Sequence, residues 1–336
     1  MEMKISGIQY PLGFFSVVLW LAMFLPAERL WAPYQHRRAI DDPLGRQKAR
    51  IYDVHGDYVI RGAKVHQKSL RLMLTTGIKK LSGMDDPAQA WRCFIHDEDV
   101  VALNFTTVNG KSLSTNTDLA GALLDCLYQA GFKPENFMIV GLAELPPQAQ
   151  GTRPWRYGWQ EQPTDIGTTE VHLARWLEEV TAIINIPSIM DDHIVGLRGA
   201  MVNMTLPLLK SPALLYLNGG DPFVPEIYDL PTIKGKIRLH LANMLQVLYY
   251  GGPVIQPLYV YEYGSVLLGT DPVALDWVAS KLLTKFRSEQ NIPLHAEAGL
   301  DSPYLDTAFA MGLGYQDLNF IEYQEIPHEQ EESPPQ

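Results

Sequence analysis

The chain has 336 residues, 46% of hydrophobic and 19% of charged types, a globular composition long enough for one large domain or two lobes around a sizeable core. Lys and Arg number 27 against 38 Asp and Glu, a formal charge of −11, and no basic stripe runs through the sequence, which argues against nucleic acid as a partner. Two cysteines, Cys93 and Cys126, cannot supply the four thiolates of a typical iron–sulfur cluster or a four-cysteine zinc site.

After Lys4 comes Leu12–Leu25, LGFFSVVLWLAMFL, fourteen residues without a charge, followed by Pro26-Ala27-Glu28 and Leu30-Trp31-Ala32. The run falls short of the about 20 residues of a spanning helix and suits the apolar region of a secretory signal. Residues 1–32 are therefore expected to be a signal peptide or an N-terminal anchor. That makes the chain exported, periplasmic or anchored at the cell envelope, and it meets a membrane through this segment alone. No adjacent arginine pair precedes the run, so the twin-arginine route is not supported. In an oxidising compartment Cys93 and Cys126 could pair, while Cys126 fits equally well as a buried free thiol.

Apolar residues at helical spacing predict a helix over Ser69–Leu81 and a short one over Pro87–Phe94. Asp99–Phe105, DVVALNF, reads as a buried strand, Leu119–Ala130 as a helix closed by Gly131, and Phe137–Leu142 as the next strand. Strand, helix, strand with a crossover of this length is the pattern of a parallel βαβ unit, so the expected fold is α/β, a mostly parallel sheet with helices on both faces. Pro146–Thr164, rich in Pro, Gln and Trp, reads as a surface insertion. Val171–Val180 has helical spacing, and Thr181–Ile186 is a strand ending at Pro187. Ile237–Leu245 and Ser265–Leu268 read as strands, and Pro272 opens a helix to Leu283. The α/β domain is thus expected over residues 33–323, and 324–336, QEIPHEQEESPPQ, as an acidic disordered tail.

In an open α/β sheet ligands bind beyond the carboxyl ends of the strands, which singles out three loops. In NFTTVNGKSLSTN, Ser114, Thr115 and Asn116 are all N-cap types; unpaired backbone N–H groups there could hold an anion, with Lys111 nearby. An ordinary capped helix explains the same residues. In PSIMDDHIVGLRGAMVN, Asp191, Asp192 and His193 offer metal ligands and Arg198 a cationic fork, although adjacent residues rarely all face one ion. A solvated acidic turn is the plainer reading. In GTDPVALD, Asp271 suits a helix cap, and Asp276 is open between a salt bridge and a site carboxylate. No phosphate loop, Gly-x-Gly-x-x-Gly, His-Glu-x-x-His or Gly-x-Ser-x-Gly motif occurs.

The stretch VVALNFTTVNGKSLSTNTDLAGALLDCLYQAGFKPENFMIV, with IINIPSIMDDHIVGLRGAMVN, YYGGP, LLGTDPVALDWVASKLL and MGLGYQDL, resembles in order and spacing the domain of unknown function 362 family, from about Arg50 to Tyr323. The resemblance implies an α/β domain, often exported and sometimes fused to iron–sulfur domains, without an established reaction. It also marks departures. Asn104, Asp191 and Val202 stand where the family usually carries lysine, Asn243 where it carries a strand-end aspartate, and Thr106 and Asn116 where it carries asparagine and histidine. His193, Asn203, Asp271 and Asp276 match. At an effective dielectric of about 20, each lost lysine charge is worth a few kcal/mol to an anion about 4 Å away, so an anionic ligand of the family type is expected to bind poorly.

Two functions follow. In one, the chain is a divergent member that binds a small-molecule or protein partner in an altered pocket formed by Asn104, Thr106, Ser114, Thr115, Asn116, Arg198, Asn203, Asn243 and Asp276. In the other, it is an enzyme whose divalent metal is held by Asp191, Asp192, His193 and Asp271.

Overall fold

A computed structural model of the chain describes residues 48–327 except 57, 63, 108–112, 114 and 293–301. The expected signal or anchor, Lys111, Ser114 and the acidic end beyond 327 lie outside the described residues. Among the described residues no helix is long and apolar enough to cross a membrane.

Nine strands of the described residues form one mixed sheet: β1 (Ala49–His55), β2 (Val101–Phe105), β3 (Phe137–Val140), β4 (Ala182–Ile186), β5 (Ser188–Asp192), β6 (Gly196–Arg198), β7 (Ile237–Leu248), β8 (Val260–Gly269) and β9 (Ile321–Pro327). The order is β9-β1-β8-β7-β4-β2-β3, and β5 pairs with β7 and with β6. Strands β7, β4, β2 and β3 run parallel, with Val101 opposite both Ala182 and Phe137, as the βαβ pattern predicts. Strand β8 is antiparallel to both of its neighbours.

Both faces of the sheet are covered, which is why its strands read as unbroken apolar runs. Val101, Leu103 and Phe105 of β2 pack with helices α1 (Gln67–Ser82), α2 (Pro87–Arg92) and α3 (Asn116–Gln129). Ala102 points the other way. On that face lie α4 (Ala200–Asn203), α5 (Phe223–Asp229), α6 (Pro231–Lys234), α7 (Pro272–Glu289) and α8 (Pro303–Ala310). Helix α7 starts as its sequence indicates, with Pro272 in the first turn and the Asp271 carboxylate accepting from Ala274 N at 2.8 Å. Cys93 is exposed, Cys126 is buried, and both are free thiols.

Three expectations are corrected. Val171–Val180 is not a helix: Ala174 N donates to Leu208 O and Arg175 N to Gly158 O, which leaves room only for a 3-10 turn over Arg175–Glu178. The segment after Pro187 is not a solvated loop. It continues as β5 beside β7 and turns back through β6, so Asp191 and Asp192 are buried strand residues. Finally, Gln324–Pro327 belongs to β9, parallel to β1, so order extends into the segment expected to be a disordered tail.

Candidate functional site

On the face covered by α4, three polar side chains occupy one register row of the parallel sheet: Asn104 of β2, Asn185 of β4 and His240 of β7. All three are fully buried, in a position where a sheet packed on both faces ordinarily carries apolar groups. A buried polar group without a partner is costly, so each must be hydrogen-bonded. Helix α4, a single turn, supplies the partners. Asn203 Nδ2 donates to Asn185 Oδ1 at 2.7 Å and to Asn104 O at 3.1 Å, and Asn104 Nδ2 donates to Asn203 O at 3.1 Å. Asn185 Nδ2 donates to Ala200 O at 2.8 Å and lies 3.0 Å from His240 Nδ1. That amide nitrogen is a donor, so Nδ1 accepts and His240 Nε2–H is left to donate to Tyr228 OH at 3.1 Å. Burial pushes the His240 imidazole down to about 3 and keeps it neutral.

Just beyond the carboxyl end of β2 the network continues. Thr106 Oγ1 donates to Asn203 Oδ1 at 2.7 Å and accepts from Ser188 N at 2.9 Å. Asn116 Nδ2 donates to Thr106 O at 3.0 Å, while its Oδ1 accepts from Ser188 Oγ at 2.9 Å and from Asn243 Nδ2 at 2.7 Å. Asn243 also donates to Thr115 Oγ1 at 2.9 Å. Thr115 and Asn116 therefore do not act as expected from their place at the start of α3. Thr115 makes no side-chain cap, and Asn116 turns into the sheet. Six of the residues expected at a pocket, Asn104, Thr106, Thr115, Asn116, Asn203 and Asn243, meet in one network although they span 140 positions of the sequence.

The other end of α4 rests on Asp276 of α7, whose Oδ1 accepts from Ala200 N at 2.5 Å and Oδ2 from Met201 N at 3.0 Å. Gly199 makes this approach feasible, because a Cβ there would lie 2.1 Å from Asp276 Oδ1. Burial raises the Asp276 carboxyl to about 7, opposed by the two N–H groups and reinforced by Asp271.

A cleft of about 150 Å³ opens over the network between Thr106 and Thr107 on one side and Arg198, Val202, Asn203 and Leu206 on the other. Arg198 Nε donates to Asp192 Oδ2 at 2.7 Å and Nη2 to Tyr216 OH at 3.2 Å, so its charge is matched within the wall. A wider hollow of about 370 Å³ lies beside Lys48, Arg50, Asp271 and Tyr315. The amide network does not reach it, so the smaller cleft is the better candidate site.

The four expected metal ligands do not assemble. Asp191 pairs with the buried Arg287 at 2.5 Å and accepts from Gly252 N at 2.8 Å, while Asp192 pairs with Arg198. His193 Nδ1 lies 2.5 Å from Gly252 O, and Asp271 caps α7 and also accepts from Tyr315 N at 3.1 Å. Among the described residues no group of three or more His, Cys, Asp or Glu is placed to hold a metal ion. Burial raises the Asp191 carboxyl and Arg287 lowers it, the balance of a buried ion pair. An acidic residue at 191 is thus accommodated by a cation that α7 brings from 96 residues away.

Sequence reasoning missed Asn185, Ser188, His240 and Tyr228. A signal for Asn185 does exist, since it is the one polar residue in the strand AIINI. His240 and Tyr228 carry none, because their meeting depends on how α5 packs against the sheet.

No protein-family model matches the chain, and no curated protein matches it. Among solved structures it is similar to the crystal structure of a protein from Thermotoga maritima determined by the Northeast Structural Genomics Consortium, at 10% identity and a TM-score of 0.36. The matched region covers 67% of this chain and 60% of that one, and the fold rests on the strand order and pairing given above.

Proposed function

We propose that the chain is a divergent member of the domain of unknown function 362 family, exported through its N-terminal segment, that binds a small uncharged polar molecule in the cleft beyond β2. One observation carries this reading: the cleft stands on a network of hydroxyls and primary amides, and the Arg198 charge in its wall is cancelled by Asp192 at 2.7 Å. Amides and hydroxyls direct hydrogen bonds but exert no net pull on an anion, and they exchange no proton at ordinary pH. His240, behind them, is held neutral by burial, which favours binding over acid–base chemistry. The volume is well below the roughly 300–1,000 Å³ of drug-sized sites, which limits the ligand, or the part of it that enters, to a few non-hydrogen atoms. At no more than about 1.5 kcal/mol per atom, affinity for so small a molecule is modest.

Thermal unfolding with a concentration series of acetamide, lactamide, erythritol, acetate or phosphate tests the reading. A neutral amide or polyol raises the midpoint of the wild-type chain and leaves that of Thr107→Trp unchanged, since the indole fills the cleft from its exposed rim. Stabilisation by acetate or phosphate alone overturns the neutral ligand, and stabilisation by none of the five overturns the cleft as the site.

A further inference from the structure

Helix α4 carries Asn203 and Val202 into the cleft, yet it is a single turn, too short to be stable by itself. It has no cap of its own, because the preceding residue is Gly199. Its first two N–H groups end on the Asp276 carboxylate, and its last residue ends on Asn104 and Asn185. The sheet end of this mount is made of amides, which do not titrate. The α7 end is a carboxylate, buried completely and, among the described residues, in ion-pair contact with no cation.

We infer that Asp276 is the positioning residue of the cleft, and that its ionisation state sets how firmly α4, and with it the ligand, is held. The inference rests on the proposed ligand site for its second half and on geometry alone for its first. When ionised, Asp276 accepts from both Ala200 N and Met201 N. When protonated, one oxygen becomes a hydroxyl, which is a poorer acceptor, and one N–H of the turn loses its full partner. The coupling is reciprocal: the two N–H groups pull the carboxyl down, so ionisation must in turn tighten α4 against α7.

The groups facing this carboxylate leave it as the titrating member. On its own helix there is Asp271, which raises it. Tyr304 of α8 and Tyr228 of α5 are pushed well above their usual range by burial, and His240 of β7 is kept neutral. Helix α4 has no titratable side chain. Asp192, farther off, is paired with Arg198. Burial brings the Asp276 carboxyl to about 7, within an accessible pH range.

The global effect has the opposite sign. A carboxyl raised in the folded state keeps a proton that the unfolded chain has released, so its contribution to stability falls as pH rises from about 4 to about 7. As the carboxyl then ionises around pH 7, α4 becomes better held. An ordinary structural carboxylate would move both in one direction.

The test is a pH titration of the full chain by NMR, reading the Asp276 carboxyl carbon and the amides of Ala200 and Met201 in the wild type and in Asp276→Asn. The three wild-type signals share one midpoint near 7, and the two amide transitions vanish in Asp276→Asn. The wild-type carboxyl signal needs no variant, so the test survives if Asp276→Asn fails to fold. Absence of a common transition between pH 5 and 9 overturns the inference, as does an unchanged amide transition in Asp276→Asn. Binding of acetamide or lactamide, measured at pH 8 and pH 5, falls about fivefold or more at the lower pH. Amides that titrate while neither probe binds at either pH leave the hold on α4 standing and remove the ligand site; probes that bind equally at both pH values remove the coupling.

Discussion

Around Asn203 the chain buries polar groups as neutral amides, and around Asp191 it buries them as opposite charges. Both regions flank the same short helix, and both solve the problem of a polar group without water. The amide network uses donors and acceptors of fixed direction, joined to one another at 2.7–3.1 Å, with Asn104 Oδ1 left, among the described residues, as its one buried acceptor without a hydrogen bond. The acidic hairpin sets Asp191 against Arg287 and Asp192 against Arg198. The difference is in what remains for a ligand. Ion pairs consume the charge that made the hairpin look like a metal site, whereas the amide network leaves a cleft above it.

The largest effect should come from breaking an ion pair on one side only. Arg287→Met leaves the Asp191 carboxylate buried beside Gly252 without its cation, at a cost of about 3–5 kcal/mol in denaturant unfolding at neutral pH. The loss shrinks as pH falls, because burial without the guanidinium raises the Asp191 carboxyl further and protonation removes the uncompensated charge. Arg287→Met combined with Asp191→Leu recovers most of the stability. A double variant no better than the single one would mean that the pair is not what holds α7 to β5.

The matching cut in the amide region is smaller. Asn203→Ala removes the donor to Asn104 O and Asn185 Oδ1 and the acceptor of Thr106, at a cost of about 2–3 kcal/mol. Between pH 5 and 8 the loss should change far less than that of Arg287→Met, because no member of that contact titrates there and Asp276 reaches it only through α4. A cost that follows pH as steeply as that of Arg287→Met would place a charge in the network itself. Smaller again is Asp271→Ala, which removes an N-cap at about 1 kcal/mol. Its unfolding midpoint, like the wild type's, should not respond to divalent ions or chelator, and a shift in the wild type that is lost in the variant would restore Asp271 as a metal ligand.

The parts of this architecture that the sequence reveals are those set by local pattern. VALNF, FMIV and AIINI are apolar enough to demand burial on both faces, and the helix between the first two demands a parallel crossover. Strand β9 escapes notice because it forms a sheet edge: only Ile321 and Ile326 of its seven residues are buried, so a polar, acidic stretch can still pair with β1. The β5–β6 hairpin escapes because Pro187 and the run Asp191-Asp192-His193 look like a turn. The compensating Arg287 lies on another element, and no window of sequence contains both. The convergence of Asn104, Thr106, Asn116, Asn203 and Asn243 follows from the rule that strand ends share a rim. Their chemistry does not, since the same residues could have capped helices.

Arg198 belongs to both regions and offers the finest separation of them. Its Nε is bound to Asp192, its Nη2 reaches Tyr216, and its side chain, 18% exposed, lines the cleft. Arg198→Lys keeps a positive charge within reach of Asp192 but loses the planar fork, so one ammonium must serve where two directed N–H bonds did. With the pair retained, the stability cost is that of one lost hydrogen bond, the one to Tyr216, about 0.5 kcal/mol. The wall of the cleft changes more than the fold does: the lysine leaves Tyr216 without its donor and removes the flat guanidinium against which a small amide would lie. Acetamide binding should therefore weaken while the unfolding midpoint barely moves. If the midpoint falls as far as in Asn203→Ala, Arg198 is a strut of the hairpin and the cleft has no wall of its own.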